Sequence, residues 1–372
     1  MKARVLVINW QDWTHPLAGG AEVHLREIFR RLARRGWYVT LLVCSFPGAA
    51  RREVLEGVTI LRTGPRSTFN FCVPWVYRKL AARCPFDLVV DDLNKIPFFS
   101  PLFARVPVVG LVHHFFDRSI FRETWALPAA YVYLMERFVA PVYRRCWFGA
   151  VSESTREDLV RRGIPRGRVM LVPNAIDIRK YGPDECARAA HPVVGYFGRL
   201  KRYKSVDHLL RAFQIVRREI SDAELIIVGE GDDRPRLQRL ARRLGLNDRV
   251  TFTGWVREED KIHLLRRMWV CVNPSPREGW GLTVTEANAC GTPVVAANSP
   301  GLRDSVRPGV TGFLYPYGDV RVMAERLLTL LRDSDLRTRM GIAAYQWACE
   351  QSWDAATDRA ELLLCAALEK RN

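Results

Sequence analysis

The sequence predicts an α/β protein made of two doubly wound, Rossmann-like domains facing a central cleft. Three observations carry this. Short β-branched runs alternate with amphipathic helical stretches, the mark of a parallel sheet covered on both faces. The alternation runs its course twice, once in each half of the chain. Between the two courses, Arg179–His191 (Arg-Lys-Tyr-Gly-Pro-Asp-Glu-Cys-Ala-Arg-Ala-Ala-His) is polar and breaks the periodicity, as linkers do. A length of 372 residues suits two domains with sizeable cores. Two open α/β domains set face to face bring the carboxyl ends of both sheets onto one cleft, where such sheets bind ligands.

The first course opens with a strand over Arg4–Ile8, a helix near Glu22–Arg35 and a strand over Tyr38–Cys44. Further strands are expected at Val58–Arg62, Leu88–Val90, Val108–Val112 and Gly149–Val151. The second course starts with a strand over Val193–Phe197 and a helix near Val206–Glu219. It continues through strands at Glu224–Val228, Val250–Thr253, Val270–Asn273 and Pro293–Ala296. The expected division is an N-terminal domain over 1–178, a linker over 179–191, a second domain over 192–352 and a closing helical segment over 353–372. No short-period repeat or low-complexity tract interrupts this plan.

Hydrophobic residues make up 48% of the chain and charged residues 26%, which excludes a disordered protein. No apolar run reaches the roughly 18 residues a membrane span needs. The start, Met1-Lys-Ala-Arg-Val-Leu-Val-Ile-Asn9, is too short and strand-like for a signal peptide. Nine scattered cysteines, without a C-x-x-C pair, read as reduced thiols of a cytoplasmic protein. The net charge of +17 is uneven: residues 1–190 hold 29 Lys and Arg against 17 Asp and Glu. A basic half implies an acidic partner, whether anionic lipid headgroups, a lipid-phosphate acceptor or nucleic acid. The alternative is that the arginines simply solvate helix faces. The N-terminal excess is read as suited to an anionic membrane surface, met from outside the bilayer on the inner face of the cell membrane; nucleic acid is not expected.

The most informative stretch is Glu278-Gly-Trp-Gly-Leu-Thr-Val-Thr-Glu286, followed by Ala287-Asn-Ala-Cys-Gly-Thr-Pro-Val-Val-Ala296. A glycine turn opening onto a helix leaves backbone N–H groups unpaired at the helix start, a ready anion site. A carboxylate before the turn and another about two helical turns further on can flank a phosphate-bearing ligand from two directions. A sugar nucleotide fits that arrangement.

This stretch resembles the signature of the family 4 retaining glycosyltransferases, which have the GT-B fold. That signature runs Glu-Gly-Phe-Gly-Leu, a second Glu closing an E-x7-E spacing, a small-residue helix and Gly-Thr-Pro-Val-Val. Trp280 stands here for its Phe. The resemblance spans nearly the whole chain and is strongest over 193–315, including Pro300-Gly-Leu-Arg-Asp-Ser and Thr311-Gly-Phe-Leu. It is weakest over 45–145, the part expected to read the acceptor. It also implies that the last helix, near Asp354–Glu369, crosses back onto the N-terminal domain.

Residue by residue, the resemblance implies a site. Arg199 and Lys204, in Gly198-Arg-Leu-Lys-Arg-Tyr-Lys204, match a Gly-Arg-Leu…Lys-Gly motif in which Ser205 replaces the Gly. Arg forks onto two phosphate oxygens and Lys acts as a point charge, so both would steady a departing nucleotide diphosphate. Gly19 and Gly20 match a Gly-Gly loop near the β-phosphate and acceptor, since paired glycines let the backbone approach a phosphate. His113, rather than His114, matches a histidine near the reacting sugar. Gly229 and Gly231 would let the backbone approach the nucleoside. Gly281, Leu282 and Thr283 form the helix start, and Glu286 would hold the ribose hydroxyls. Glu278 is either a nucleophile, as in retaining glycosidases, or a hydrogen-bond partner of the donor sugar. The second reading is preferred, with same-face attack and the leaving phosphate taking the acceptor's proton.

Val172-Pro-Asn-Ala-Ile-Asp177 matches a hinge motif with Ala175 in place of Gly, and Ser152 reads as a helix cap. No metal and no cofactor are expected. The Asp-x-Asp that the other glycosyltransferase fold uses occurs only as Asp333-Ser-Asp335, which reads as a helix cap. The aromatic stretch Tyr131–Trp147 and Phe115–Arg122 would form an acceptor wall, a membrane-docking face or core. The expected function is a retaining, metal-independent transfer of a hexose from a nucleotide diphosphate sugar to an acceptor hydroxyl, on a glycan or lipid-linked glycan. The rivals are a GT-B-like sugar-nucleotide epimerase or phosphorylase, and a non-catalytic basic protein that binds membrane or nucleic acid.

Overall fold

The computed structural model describes residues 2–94 and 96–369, without the side chain of Arg122. The chain divides into two compact units, Met1–Asn174 with Trp353–Asn372, and Ala175–Ser352.

The first unit holds strands β1 (Arg4–Ile8), β2 (Tyr38–Val43), β3 (Arg52–Leu55), β4 (Val58–Arg62), β5 (Leu88–Asp92), β6 (Val108–Val112), β7 (Trp147–Ala150) and β8 (Val169–Leu171). Their order is β3-β4-β2-β1-β5-β6-β7-β8. Every neighbouring pair is parallel except β3 and β4. The central strand β1 is apolar almost throughout and buries Val5–Ile8 completely, as a strand covered on both faces must. The chain builds outward from β1 through β2 and β4, then returns to lay β5 on the other side. The strand order therefore reverses between β1 and β5.

The chain comes back to this unit at its end. Helix Trp353–Glu369 packs beside helix Gly20–Arg34 and over strands β5 to β8. Its apolar side buries Ala360, Leu363 and Leu364, and Leu363 reaches within 3.0 Å of the space a side chain at Gly149 would need. Its outer edge is pinned by Arg31 to Asp354 at 2.8 Å, Arg35 to Asp358 at 2.7 Å and the Trp37 indole to Glu361 at 2.8 Å. Residues 370–372 of the predicted closing segment lie outside the described residues.

The second unit holds β9 (Val193–Phe197), β10 (Glu224–Val228), β11 (Val250–Gly254), β12 (Val270–Asn273), β13 (Val294–Ala297) and β14 (Gly312–Tyr315). All are parallel, in the order β11-β10-β9-β12-β13-β14. Here the strand order reverses between β9 and β12, which makes the loops after those two strands the natural ligand position.

Two features differ from the sequence reading. Strands β3, β8 and β14 were not expected; each has three or four residues, too few to show a period, and β3 lies at an edge with alternate residues exposed. The stretch 179–191 is part of the second unit rather than a free linker. Its polar residues are used against that unit. Asp184 caps a short turn through Cys186 and Ala187, Arg188 bonds Thr292 Oγ1 at 3.0 Å, and the Trp269 indole donates to Ala189 O at 2.7 Å. The crossings between units fall at 174–175 and 352–353.

Candidate active site

The loop after β9 is shaped by glycines meeting backbone. Gly198 has φ +153, and a side chain there would collide with the Tyr196 hydroxyl at 2.7 Å. That hydroxyl donates to Arg199 O at 3.1 Å. The loop after β10 lies directly on this one: Leu200 N donates to Glu230 O at 2.8 Å and Asp233 N to Leu200 O at 3.0 Å. A Cβ on Gly229 would stand 2.0 Å from Gly198 O, and one on Gly231 2.0 Å from Leu200 O. These two glycines, expected to admit a nucleoside, are thus required by backbone packing that holds the Arg199 loop in place. The Arg199 guanidinium donates to the Tyr203 hydroxyl at 3.1 Å.

Ser205 closes the loop with φ +55, a left-handed conformation that a side chain disfavours. This is the position where the resemblance expects glycine. The serine hydroxyl lies 2.9 Å from the Tyr317 hydroxyl, a contact glycine lacks.

The loop after β12 carries the signature. Glu278 N donates to Pro300 O at 3.0 Å, and Gly301 is essential to the approach, since a Cβ there would lie 2.3 Å from Glu278 O. Trp280 is buried, and its indole donates to Thr285 Oγ1 at 2.9 Å. The larger ring therefore ties the turn to the helix that follows, a bond phenylalanine could not make. Gly281, with φ +89, caps helix Leu282–Ala289. The first N–H groups of that helix, beginning at Leu282 and Thr283, have no intrahelical acceptor.

These two loops meet at the switch point. Lys204 Nζ forms an ion pair with Glu278 Oε1, both side chains mostly buried. Burial disfavours the ammonium, but the Glu278 carboxylate outweighs it and raises the Lys204 pKa above the ordinary lysine value. One cation, one carboxylate and a helix N-terminus are therefore gathered at the reversal point of the sheet.

Glu286, on the same helix, pairs with Lys261 at 2.7 Å and accepts from the Tyr181 hydroxyl at 3.3 Å. Sequence reasoning missed both partners. Lys261 sits in the charged helix Glu258–Arg267, outside every motif of the sequence reading, and Tyr181 sits in the stretch taken for a linker.

In the first unit the loop after β1 opens helix Gly20–Arg34. Gly19 has an extended backbone, and the nearest neighbour of a Cβ there would be Glu22 Oε2 at 3.7 Å, so packing does not demand glycine. Glu22 accepts from Gly19 N at 2.7 Å and from Asn94 Nδ2 at 3.4 Å. After β6, His113 is buried with Nε2 3.3 Å from Asp92 Oδ1. Asp92 is fully buried, and its carboxylate has no hydrogen-bond partner among the described residues. His24 lies edge-on to His113 at 5.2 Å, with Nε2 3.0 Å from Val172 O. Burial, then the proximity of His113, pushes the His24 pKa down to about 3. His114 instead packs against Phe116 at 4.8 Å. The two adjacent histidines thus have different surroundings, with only His113 against the buried carboxylate. Asp91, the residue before it, serves the interior by accepting from Ser100 Oγ at 2.7 Å and from Tyr143.

The secondary sequence readings have local counterparts. Ser152 accepts from Thr155 N at 3.2 Å, and Asp333 accepts from Leu336 N at 2.8 Å, each capping a helix. Ala175 avoids the left-handed region.

Two doubly wound domains of this kind are the architecture of the GT-B glycosyltransferases. The model described as Glycosyltransferase Family 4 matches residues 18–180, and that described as Glycosyl transferases group 1 matches 183–347. A D-inositol 3-phosphate glycosyltransferase of Salinispora arenicola is 36% identical over 382 residues, taking in 91% of this chain and 85% of that protein. A GDP-mannose-dependent alpha-(1-6)-phosphatidylinositol monomannoside mannosyltransferase of Mycobacterium tuberculosis is 32% identical over 221 residues. That match covers 55% of this chain and little more than half, 57%, of the relative. Among solved structures, sucrose-phosphate synthase from Thermosynechococcus elongatus superposes with a TM-score of 0.81 at 22% identity, covering 97% and 98% of the two chains. The chain belongs to glycosyltransferase family 4. No helix among the described residues is long and apolar enough to cross a membrane.

Proposed function

We propose that this glycosyltransferase is retaining and metal-independent, moving a hexose from a nucleoside diphosphate sugar to an acceptor hydroxyl on a phosphorylated or lipid-linked acceptor. The observation that carries the reading is the Lys204–Glu278 pair beside the helix start at Gly281. Arg199, Lys204 and the helix N-terminus supply the positive charge a diphosphate needs, the part a metal ion plays elsewhere. In the proposed step the bond from C1 of the sugar to the diphosphate breaks, and a bond from C1 to the acceptor oxygen forms on the same face. The acceptor's proton passes to an oxygen of the departing phosphate. Glu278 holds hydroxyls of the donor sugar, and Glu286, oriented by Lys261 and Tyr181, accepts from the ribose. His113, steadied by Asp92, binds a hydroxyl in the first domain.

One relative's name carries inositol 3-phosphate and the other's phosphatidylinositol, which supports an acceptor with phosphate chemistry, as does the basic first half of the chain. The proposed location is the cytoplasm, at the inner face of the cell membrane. The test is nucleotide diphosphate release from UDP-, GDP- and ADP-sugars in excess chelator, with inositol phosphate or membrane lipid as acceptor, and NMR of the product's anomeric centre. Release from one donor with retained configuration supports the reading. Chelator-sensitive turnover, or an inverted product, would overturn it.

A further inference from the structure

The backbone of Ser205, with φ +55 and ψ +35, lies in the left-handed region, where a β-carbon crowds the chain. Among the described residues it is the one residue of the second unit, glycines aside, with a positive φ in that region. It stands between Lys204 and helix Val206–Glu219, so its conformation sets the direction in which the Lys204 side chain leaves the loop. A serine at a helix start ordinarily turns its hydroxyl onto the helix's own N–H groups. Ser205 makes no such cap. Its hydroxyl donates to Tyr203 O at 3.4 Å and lies 2.9 Å from the Tyr317 hydroxyl. With its one hydrogen on Tyr203 O, the serine oxygen accepts from Tyr317.

Tyr317 belongs to the loop after the edge strand β14, which leads into helix Val320–Arg332. Its ring is 37% exposed and lies 5.5 Å from that of His208, while Ser205 is 4% exposed. Helices Val206–Glu219 and Val320–Arg332 pack side by side. The two hydroxyls therefore tie together loops whose following helices are already fixed. From Ser205 the contacts run on to both cations. Tyr203 O accepts from Ser205, the Tyr203 hydroxyl accepts from Arg199 Nη2 at 3.1 Å, and Lys204 Nζ lies 5.2 Å from the centre of the Tyr203 ring. Backbone strain of this kind persists where the surroundings over-determine it. A glycine would adopt the same turn without support.

We propose that Tyr317 is a positioning residue for sugar transfer. Its hydroxyl latches Ser205 in the left-handed turn and so holds Lys204 and Arg199 where the diphosphate departs. Tyr317 acts through Ser205, not on the substrate. The proposal rests on the reading of Lys204 as the cation beside the departing diphosphate.

The experiment is a double-mutant cycle of Tyr317→Phe and Ser205→Gly in the full chain. Nucleotide diphosphate release is followed with the preferred of the UDP-, GDP- and ADP-sugars. Amide hydrogen exchange over residues 199–205 is followed without any sugar nucleotide. Tyr317→Phe should lower kcat about tenfold and leave the donor KM within about twofold, as a cation misplaced for the departing group does. Exchange over 199–205 should rise about tenfold. In the Ser205→Gly background the same change should move neither quantity by more than about twofold, because the turn no longer depends on the latch. A merely structural tyrosine would cost the same in both backgrounds. Unchanged kcat in Tyr317→Phe, or equal losses in the two backgrounds, would overturn the proposal. A parent that turned over no donor would sink the transferase reading instead. Exchange would then decide the latch: a rise that Ser205→Gly abolishes supports it, and no rise overturns it.

Discussion

Lys204 and Glu278 form an ion pair across 74 positions of sequence, joining the loop after β9 to the loop after β12. A cation placed where a diphosphate departs acts on the reacting state more than on the bound substrate. Lys204→Ala should therefore lower kcat roughly 10²–10³-fold with a smaller change in donor affinity. Single-turnover release of nucleotide diphosphate beside equilibrium donor binding checks this. Equal losses in both would assign Lys204 to binding alone.

Lys261 should behave differently. It pairs with Glu286 at 2.7 Å, and in the proposed function that carboxylate meets the ribose hydroxyls, remote from the bond that breaks. Lys261→Met should raise KM for the donor about tenfold and leave kcat within about twofold, the pattern of lost uniform binding. Steady-state kinetics on the preferred donor separates this from the Lys204 effect.

The left-handed backbone at Ser205 predicts an ordering of variants. Ser205→Ala keeps the strain and loses the contact to Tyr317, whereas Ser205→Gly loses the contact but relieves the strain. The glycine variant should be more stable than the alanine variant by about 1 kcal/mol. Urea denaturation of the pair measures it, and alanine equal to glycine would refute the strain.

Glu136 predicts a pH dependence. Its carboxylate accepts from Phe116 N at 2.7 Å and Asp117 N at 2.9 Å and holds Asp117 at φ +47. Burial raises its pKa from 4.5 to about 7, against the pull of those two N–H groups and of Arg162. Between these values the folded chain keeps a proton that the unfolded chain has released. The stability from this group is therefore full below pH 4.5 and is lost as pH rises through 7. Glu136→Gln, neutral at every pH like the protonated acid, should be close to the parent below pH 4.5, should gain on it as pH rises toward 7, and should flatten the slope between those limits. Urea midpoints taken across that range test both parts.

Much of the architecture was legible because it depends on patterns that repeat. Strands β1, β4, β6, β9, β10 and β12 coincide with runs of β-branched residues, and the E-x7-E signature fixed the helix start at Gly281. What stayed hidden depends on pairing at a distance. Lys261 and Tyr181 converge on Glu286 from separate segments, and neither belongs to a local motif. Gly229 and Gly231 were visible as special, but their packing against the carbonyls of another loop was not. The stretch 179–191 looked like a linker because composition cannot tell a polar side chain in water from one bonded to a neighbouring carbonyl. The substitution of Trp280 for phenylalanine likewise acquires its meaning only from Thr285, five residues on.

The return of helix Trp353–Glu369 sets an order of events during synthesis. The second unit is one continuous segment, so all its strands are made before helix Trp353–Glu369. The first unit emerges earlier but lacks the helix that covers β5 to β8, and that helix is made only after the whole second unit. The usual rule that the N-terminal domain matures first is inverted. A chain truncated at residue 352 would expose an apolar sheet face to chaperones, although its later-made domain is complete.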